Sequence, residues 1–170
     1  MIIFHVTEKV RRGLKKPLDQ YSQDYSSLLG NWYVNLLIVR RKHILLIVSE
    51  KTLLPVIIPA KFLSEFPNRF PDALSDVLIE IGIGHEKIQK ELSTLTDWRL
   101  CKTIDRRILG SMNDFSILLQ GYYDDVTPLS KLALRIGINP CGPIGMKSPI
   151  NATAEVFGEK ISFNPFDILK

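Results

Sequence analysis

Arg106, Gly110, Asn113 and Asp114 are the residues whose types and spacing come nearest to a chemistry. On a helix the first three stand at i, i+4 and i+7, which puts them on one face with Asp114 beside it. A planar guanidinium at Arg106 suits a carboxylate or a phosphate. Asn113 can donate and accept at once, and Asp114 can serve as a base or orient a partner. Gly110 costs roughly 1 kcal/mol against Ala inside a helix, so its presence predicts close approach by another backbone or by a ligand. With Thr103 at the head of the segment, the candidate polar cluster is Thr103, Arg106, Asn113 and Asp114. A plainer role competes with a site. A helix docked on a sheet can spend an Arg and an Asn on stray backbone groups, because unpaired buried polar atoms are costly. The plainer role is the one we expect, and no residue is assigned a catalytic part.

Positive charge gathers in three places. Lys9, Arg11, Arg12, Lys15 and Lys16 form one cluster, Arg40, Arg41, Lys42 and His43 a second, and Arg99, Lys102, Arg106 and Arg107 a third, within a net charge of only +4. Such clusters meet phosphate backbones or acidic proteins. Lys9, Arg12, Arg40, Arg41 and Lys42 are the candidate anion-binding residues. Taken singly, each cluster is a solvated turn or helix face; clusters sharing one face would make an interface. Tyr21, Tyr25, Trp32 and Tyr33 lie near them in sequence and are candidates for stacking on bases. Trp32 and Tyr33 alternate on a strand, so at most one of that pair faces a ligand.

Other chemistries lack their residues. No Gly-x-Ser-x-Gly elbow, P-loop or Gly-x-Gly-x-x-Gly is present, and Gly82-Ile83-Gly84 reads as a helix stop. His5, His43 and His85 are scattered and no Cys-x-x-Cys pair exists, so neither a metal nor a cofactor is expected. Cys101 and Cys141 are expected reduced and separate, the second held in the turn Pro140-Cys141-Gly142-Pro143. Asp124-Asp125 ahead of Pro128 suits a helix start better than a cation. The longest apolar runs, at 36–39 and 44–48, are too short to span a bilayer, and the opening residues lack a leader pattern. A cytoplasmic protein with no membrane partner is the expectation.

The elements that must position these residues follow from periodicity and punctuation. A strand is predicted over 2–6, then a helix over 9–14 entered through Thr7, then an irregular stretch to Gly30. Two β-rich runs, 32–39 and 43–49, read as a hairpin although the usual Asn-Gly turn is missing. A strand over 53–58, interrupted by Pro55, is expected to lie on an edge or to end early. Helices follow over 70–81 and 85–95, a strand over 98–103, the central helix from about Asp105 to Tyr122, and a short helix over 128–136. A Gly/Pro-rich loop then leads to weak strand signals in the last twenty residues. The 45% hydrophobic content is that of a globular chain. With no repeat or linker, the expected architecture is one α+β domain over 1–170, a small mainly antiparallel sheet packed against several helices.

Thr103-Ile104-Asp105-Arg106 followed by Leu109-Gly110-Ser111-Met112-Asn113-Asp114 resembles the signature of a bacterial family of about this length, known as a domain of unknown function. Phe4-His5-Val6-Thr7-Glu8-Lys9, Trp32-Tyr33-Val34-Asn35-Leu36, and Pro140-Cys141-Gly142-Pro143 with Ser148-Pro149 fit the same pattern in the same order. Members of that family usually carry Ser where Arg107 stands and an aromatic near Met146. The resemblance implies no reaction, cofactor or assigned site. From the residues themselves we expect a non-enzymatic binding module for nucleic acid or an acidic protein partner. The alternative is a small enzyme with a polar pocket beside the central helix, and nothing in the sequence fixes the oligomeric state.

Overall fold

An apolar run unbroken but for one histidine, as at Ile2–Val6, predicts a strand flanked on both sides, and that is where it lies. The computed structural model describes residues 1–21, 27–161, 164 and 167. Among them, β1 (Ile2–Val6), β2 (Trp32–Val39), β3 (Lys42–Ser49), β4 (Pro55–Pro59) and β5 (Trp98–Lys102) form one sheet in the order β4-β3-β2-β1-β5. β1 runs parallel to both its neighbours, with Val6 beside Val34 of β2 and beside Lys102 of β5. The β2–β3 and β3–β4 pairings are antiparallel. The α+β class holds, but the sheet is mixed where a mainly antiparallel one was expected. A hairpin is local and shows itself by alternation around a short turn. The parallel pairings come from crossovers that return the chain to the same end before the next strand, and no local pattern marks them.

Six helices complete the described fold: α1 (Glu8–Leu14), α2 (Phe66–Ile81), α3 (His85–Leu92), α4 (Arg106–Tyr122), α5 (Leu129–Gly137) and α6 (Pro149–Phe157). Thr7 sits at the N-cap of α1, yet its hydroxyl donates to Asn35 Oδ1 at 2.8 Å instead of capping. α2 starts a turn earlier than its stripe suggests, with Pro67 in the first turn, and stops at the left-handed Gly82 as expected. α6 overturns the weak strand expectation as far as Phe157, while 162–163, 165–166 and 168–170 lie outside the described residues. Ser148 caps it by accepting from the Asn151 amide at 3.1 Å, Pro149 takes a position that needs no N–H, and Gly158 ends it in the left-handed conformation.

Alternation assigns the sheet two faces. Phe4 and Trp32 point to one of them, where Phe4 meets Phe66 and Phe70 edge-on at 5.1 and 5.3 Å and Trp32 meets Phe70 at 4.8 Å. Each such ring pair adds about 0.5–1.5 kcal/mol to the burial itself. α2 therefore covers this face, and α1 lies beside its leading turn. His5 and Tyr33 point to the other face, where α4 packs with Asp105 at its head. α5 closes the β4 edge. A Cβ on Gly137 would stand 3.2 Å from Ile150 and 3.4 Å from Pro55, so glycine lets α5, α6 and β4 meet closely. No described helix is long and apolar enough to cross a membrane.

Candidate functional site

α4 buries Ile108, Ser111, Met112, Phe115 and Leu119. That stripe forces Arg106, Gly110, Asn113 and Asp114 outward, and all four are exposed. Ile117, one turn beyond Asn113 on the same side, is 70% exposed. A Cβ on Gly110 would meet nothing within 4 Å. Two expectations are corrected at once: no other backbone approaches Gly110 closely, and Arg106 and Asn113 satisfy no buried backbone group. Thr103 is half-buried in the link between β5 and α4, away from that outer face. Asp105 caps the helix, accepting from the Arg107 amide at 2.8 Å. A hollow of about 310 Å³ lies beside the first turn of α4, but Tyr33, Glu50, Ile104, Asp105 and Ile108 are among its walls and none of the outward residues is.

His5 and Tyr33, missed as a pair by the sequence, tie this region together from below. The rings meet edge-on at 4.7 Å. His5 Nδ1 lies 2.7 Å from the Lys102 carbonyl and so donates to it, leaving buried Nε2 without a partner. Burial pulls the His5 pKa down, against the opposing pull of the Lys102 carbonyl and Glu50. The Tyr33 hydroxyl accepts from the Asp105 amide at 3.2 Å, and burial pushes its pKa up to about 12. Both side chains stay neutral and fix the link between β5 and α4. The thiols of Cys101 and Cys141 are free and buried. Burial raises both, Cys141 to about 11, which disfavours the nucleophilic thiolate. Among the described residues no three of His, Cys, Asp and Glu gather as metal ligands would.

The basic clusters fall differently. β1, β2 and β5 are parallel, and β4 shares the direction of β2, so the carboxyl ends of four strands point one way. β2 runs on from Val34 to Val39, past the end of β1, and carries the Arg40-Arg41 turn beyond it. Both turn residues are left-handed, with φ 47 and 67°, the backbone of a two-residue type I′ turn. After β4 the Ala60 amide still donates to the His43 carbonyl at 3.0 Å, which keeps Lys61 and Phe62 beside the hairpin. Phe62 is 69% exposed and left-handed at φ 56°, with the Lys61 ammonium 5.3 Å from its ring centre. A Cβ on Gly13 would lie 2.5 Å from Leu63, so α1 is pressed against the residue after Phe62. Lys9 is one turn before Gly13 on that side of α1. Lys9, Arg12, Arg40, Arg41 and Lys42 are all exposed at this end, as Lys61 is.

Acids near this end include Glu8, Glu65 and, lining the hollow beside Pro59, Asp72 and Asp76. Arg11 donates to Glu8 through Nε at 2.8 Å and through Nη2, Arg12 approaches it at 3.4 Å, and the Arg11 guanidinium holds the Glu8 pKa down at about 2. Glu65 lies nearby and accepts from Asn68. Lys9, Arg40, Arg41, Lys42 and Lys61 form no ion pair among the described residues. The third cluster divides. Lys102 ends β5 at the same end of the sheet, while Arg106 and Arg107 ride on α4, across the sheet from α1. Among the stacking candidates of the sequence, the outcomes differ. Trp32 and Tyr33 are both core, Tyr21 packs its ring against His5 at 5.4 Å, and Tyr25 lies outside the described residues. Among the described residues Phe62 is the most exposed aromatic, and no periodicity singles it out, because a left-handed turn sets its exposure. No curated protein and no solved structure matches the chain. A family model described as a domain of unknown function, DUF6933, matches residues 3–152, which takes in every segment on which the resemblance rests.

Proposed function

The chain belongs to this family, and from its own surface we propose that it is a non-enzymatic module that binds the phosphate backbone of a nucleic acid. One observation carries the proposal: Lys9, Arg12, Arg40, Arg41, Lys42 and Lys61 gather at the end of the sheet to which four strands point. Of these, Lys9, Arg40, Arg41, Lys42 and Lys61 form no ion pair among the described residues and can release the counterions of a polyanion, so binding weakens with salt in proportion to the phosphates contacted.

A polarisation titration with duplex and single-stranded DNA and RNA tests it. Log K against log salt should fall with a slope of about −0.9 per phosphate on duplex and about −0.7 on a single strand. Replacing Arg40, Arg41 and Lys42 by Gln should flatten that slope by about two to three. No binding to any of the four sinks the proposal. Binding to an acidic peptide alone moves the function to an acidic protein partner. The hollow beside α4 keeps a small enzyme as the rival, but Arg106, Asn113 and Asp114 do not border it.

A further inference from the structure

Resting on that proposal, we infer that the nucleic acid is taken as a single strand, with a base stacked on Phe62 and the backbone drawn along Arg40, Arg41 and Lys42. Phe62 offers an aromatic face, 69% exposed, beside Lys61 and the basic hairpin. Its backbone is held in the left-handed conformation that L residues disfavour. The Glu65 amide donates to the Phe62 carbonyl at 2.8 Å, and Leu63 is clamped against Gly13, so the ring is presented from a fixed base. Arg40 and Arg41 hold the same disfavoured conformation on the neighbouring turn. Strained backbone at exposed residues clusters where a surface is used.

The ring decides between duplex and single strand. In a duplex the base faces are stacked on one another, and an aromatic side chain on an open surface finds only phosphate and sugar. In a single strand each base offers a face, and stacking on an aromatic is tolerant of sequence. Ile38, 60% exposed, and its cross-strand partner His43 lie on the Trp32 side of the same hairpin. Lys61, with its ammonium near the Phe62 ring, is placed to meet the phosphate next to a stacked base. No group here reads a 2′-hydroxyl in particular, so DNA and RNA strands are expected to bind alike.

Labelled oligo-dT and oligo-U of about 12 nucleotides, within the span of one binding module, and a mixed-sequence duplex are titrated against the parent, Phe62→Ala and Phe62→Trp. Phe62→Ala should weaken both single strands about tenfold or more, leave the salt slope unchanged, and leave duplex binding as it was. Phe62→Trp should restore the single strands. A thermal melt confirms the fold of each variant, and Lys61→Ala, which should weaken the single strands and flatten the slope, supplies a second readout. Parent-like affinity of Phe62→Ala for single strands, or a parent that prefers the duplex, overturns this inference and spares the backbone-binding proposal. Failure of every nucleic acid at low salt removes both.

Discussion

His5 enters the sheet with one nitrogen given to the Lys102 carbonyl and the other buried and unpartnered, so protonation has nowhere favourable to go. The unfolded chain takes up that proton near the ordinary value of 6.5, while the folded chain resists until lower pH. Below about 6.5 the unfolded state then binds more protons, and stability falls as pH drops through that value. His5→Asn keeps a donor for the carbonyl and removes the titration, so it should flatten the fall in urea midpoint between about pH 7 and 5. An unchanged fall would place the proton uptake elsewhere. Gly110 makes a contrasting case: its surroundings are open, and Gly110→Ala should raise the unfolding free energy by about 0.5–1 kcal/mol. A loss of stability in urea would mean that this face is docked after all. The sequence displayed Arg106, Asn113 and Asp114 plainly as a shared face but not which way it turns. The apolar stripe Ile108, Met112, Phe115 and Leu119 held the answer, and it outweighs one glycine.

The β2–β3 hairpin shows how an element can be legible while its purpose is not. Two β-rich runs around a basic triplet are enough to predict it, and the observed strands, Trp32–Val39 and Lys42–Ser49, differ from the expectation by one residue. What composition does not reveal is that both turn residues adopt φ above zero with side chains that disfavour it. Replacing Arg40-Arg41 by Asn-Gly supplies the residues a type I′ turn prefers. The variant should gain about 1 kcal/mol or more, which a melt reads as a rise of about 2–4 °C per kcal/mol, while nucleic-acid binding weakens. A drop in melting temperature would show the turn to be unstrained. α6 was legible in principle, since Ser148-Pro149 is a helix opening, but apolar residues near a chain's end resemble a strand as easily. The parallel pairings were not legible, because nothing local to β1 names the strands beside it.

Across the whole molecule the modest net charge conceals a polarity. Cations free of ion pairs crowd the carboxyl ends of the strands, and the acids of the chain nearly cancel them in the sum. A pI or a net charge cannot express that arrangement, and only the topology brings Lys9, Arg40 and Lys61 to one end. The same topology has a consequence in time. β1 pairs with β2 soon after both are made, but its other neighbour is β5, where Ile2 meets Trp98. A ribosome adding about 5–20 residues per second needs roughly 5–20 s to build the stretch between them. Throughout that interval one side of Ile2–Val6 offers unsatisfied backbone groups along an apolar strand, the kind of segment that recruits other chains. The strand most deeply enclosed in the finished molecule is therefore the most adhesive one while the chain is still growing.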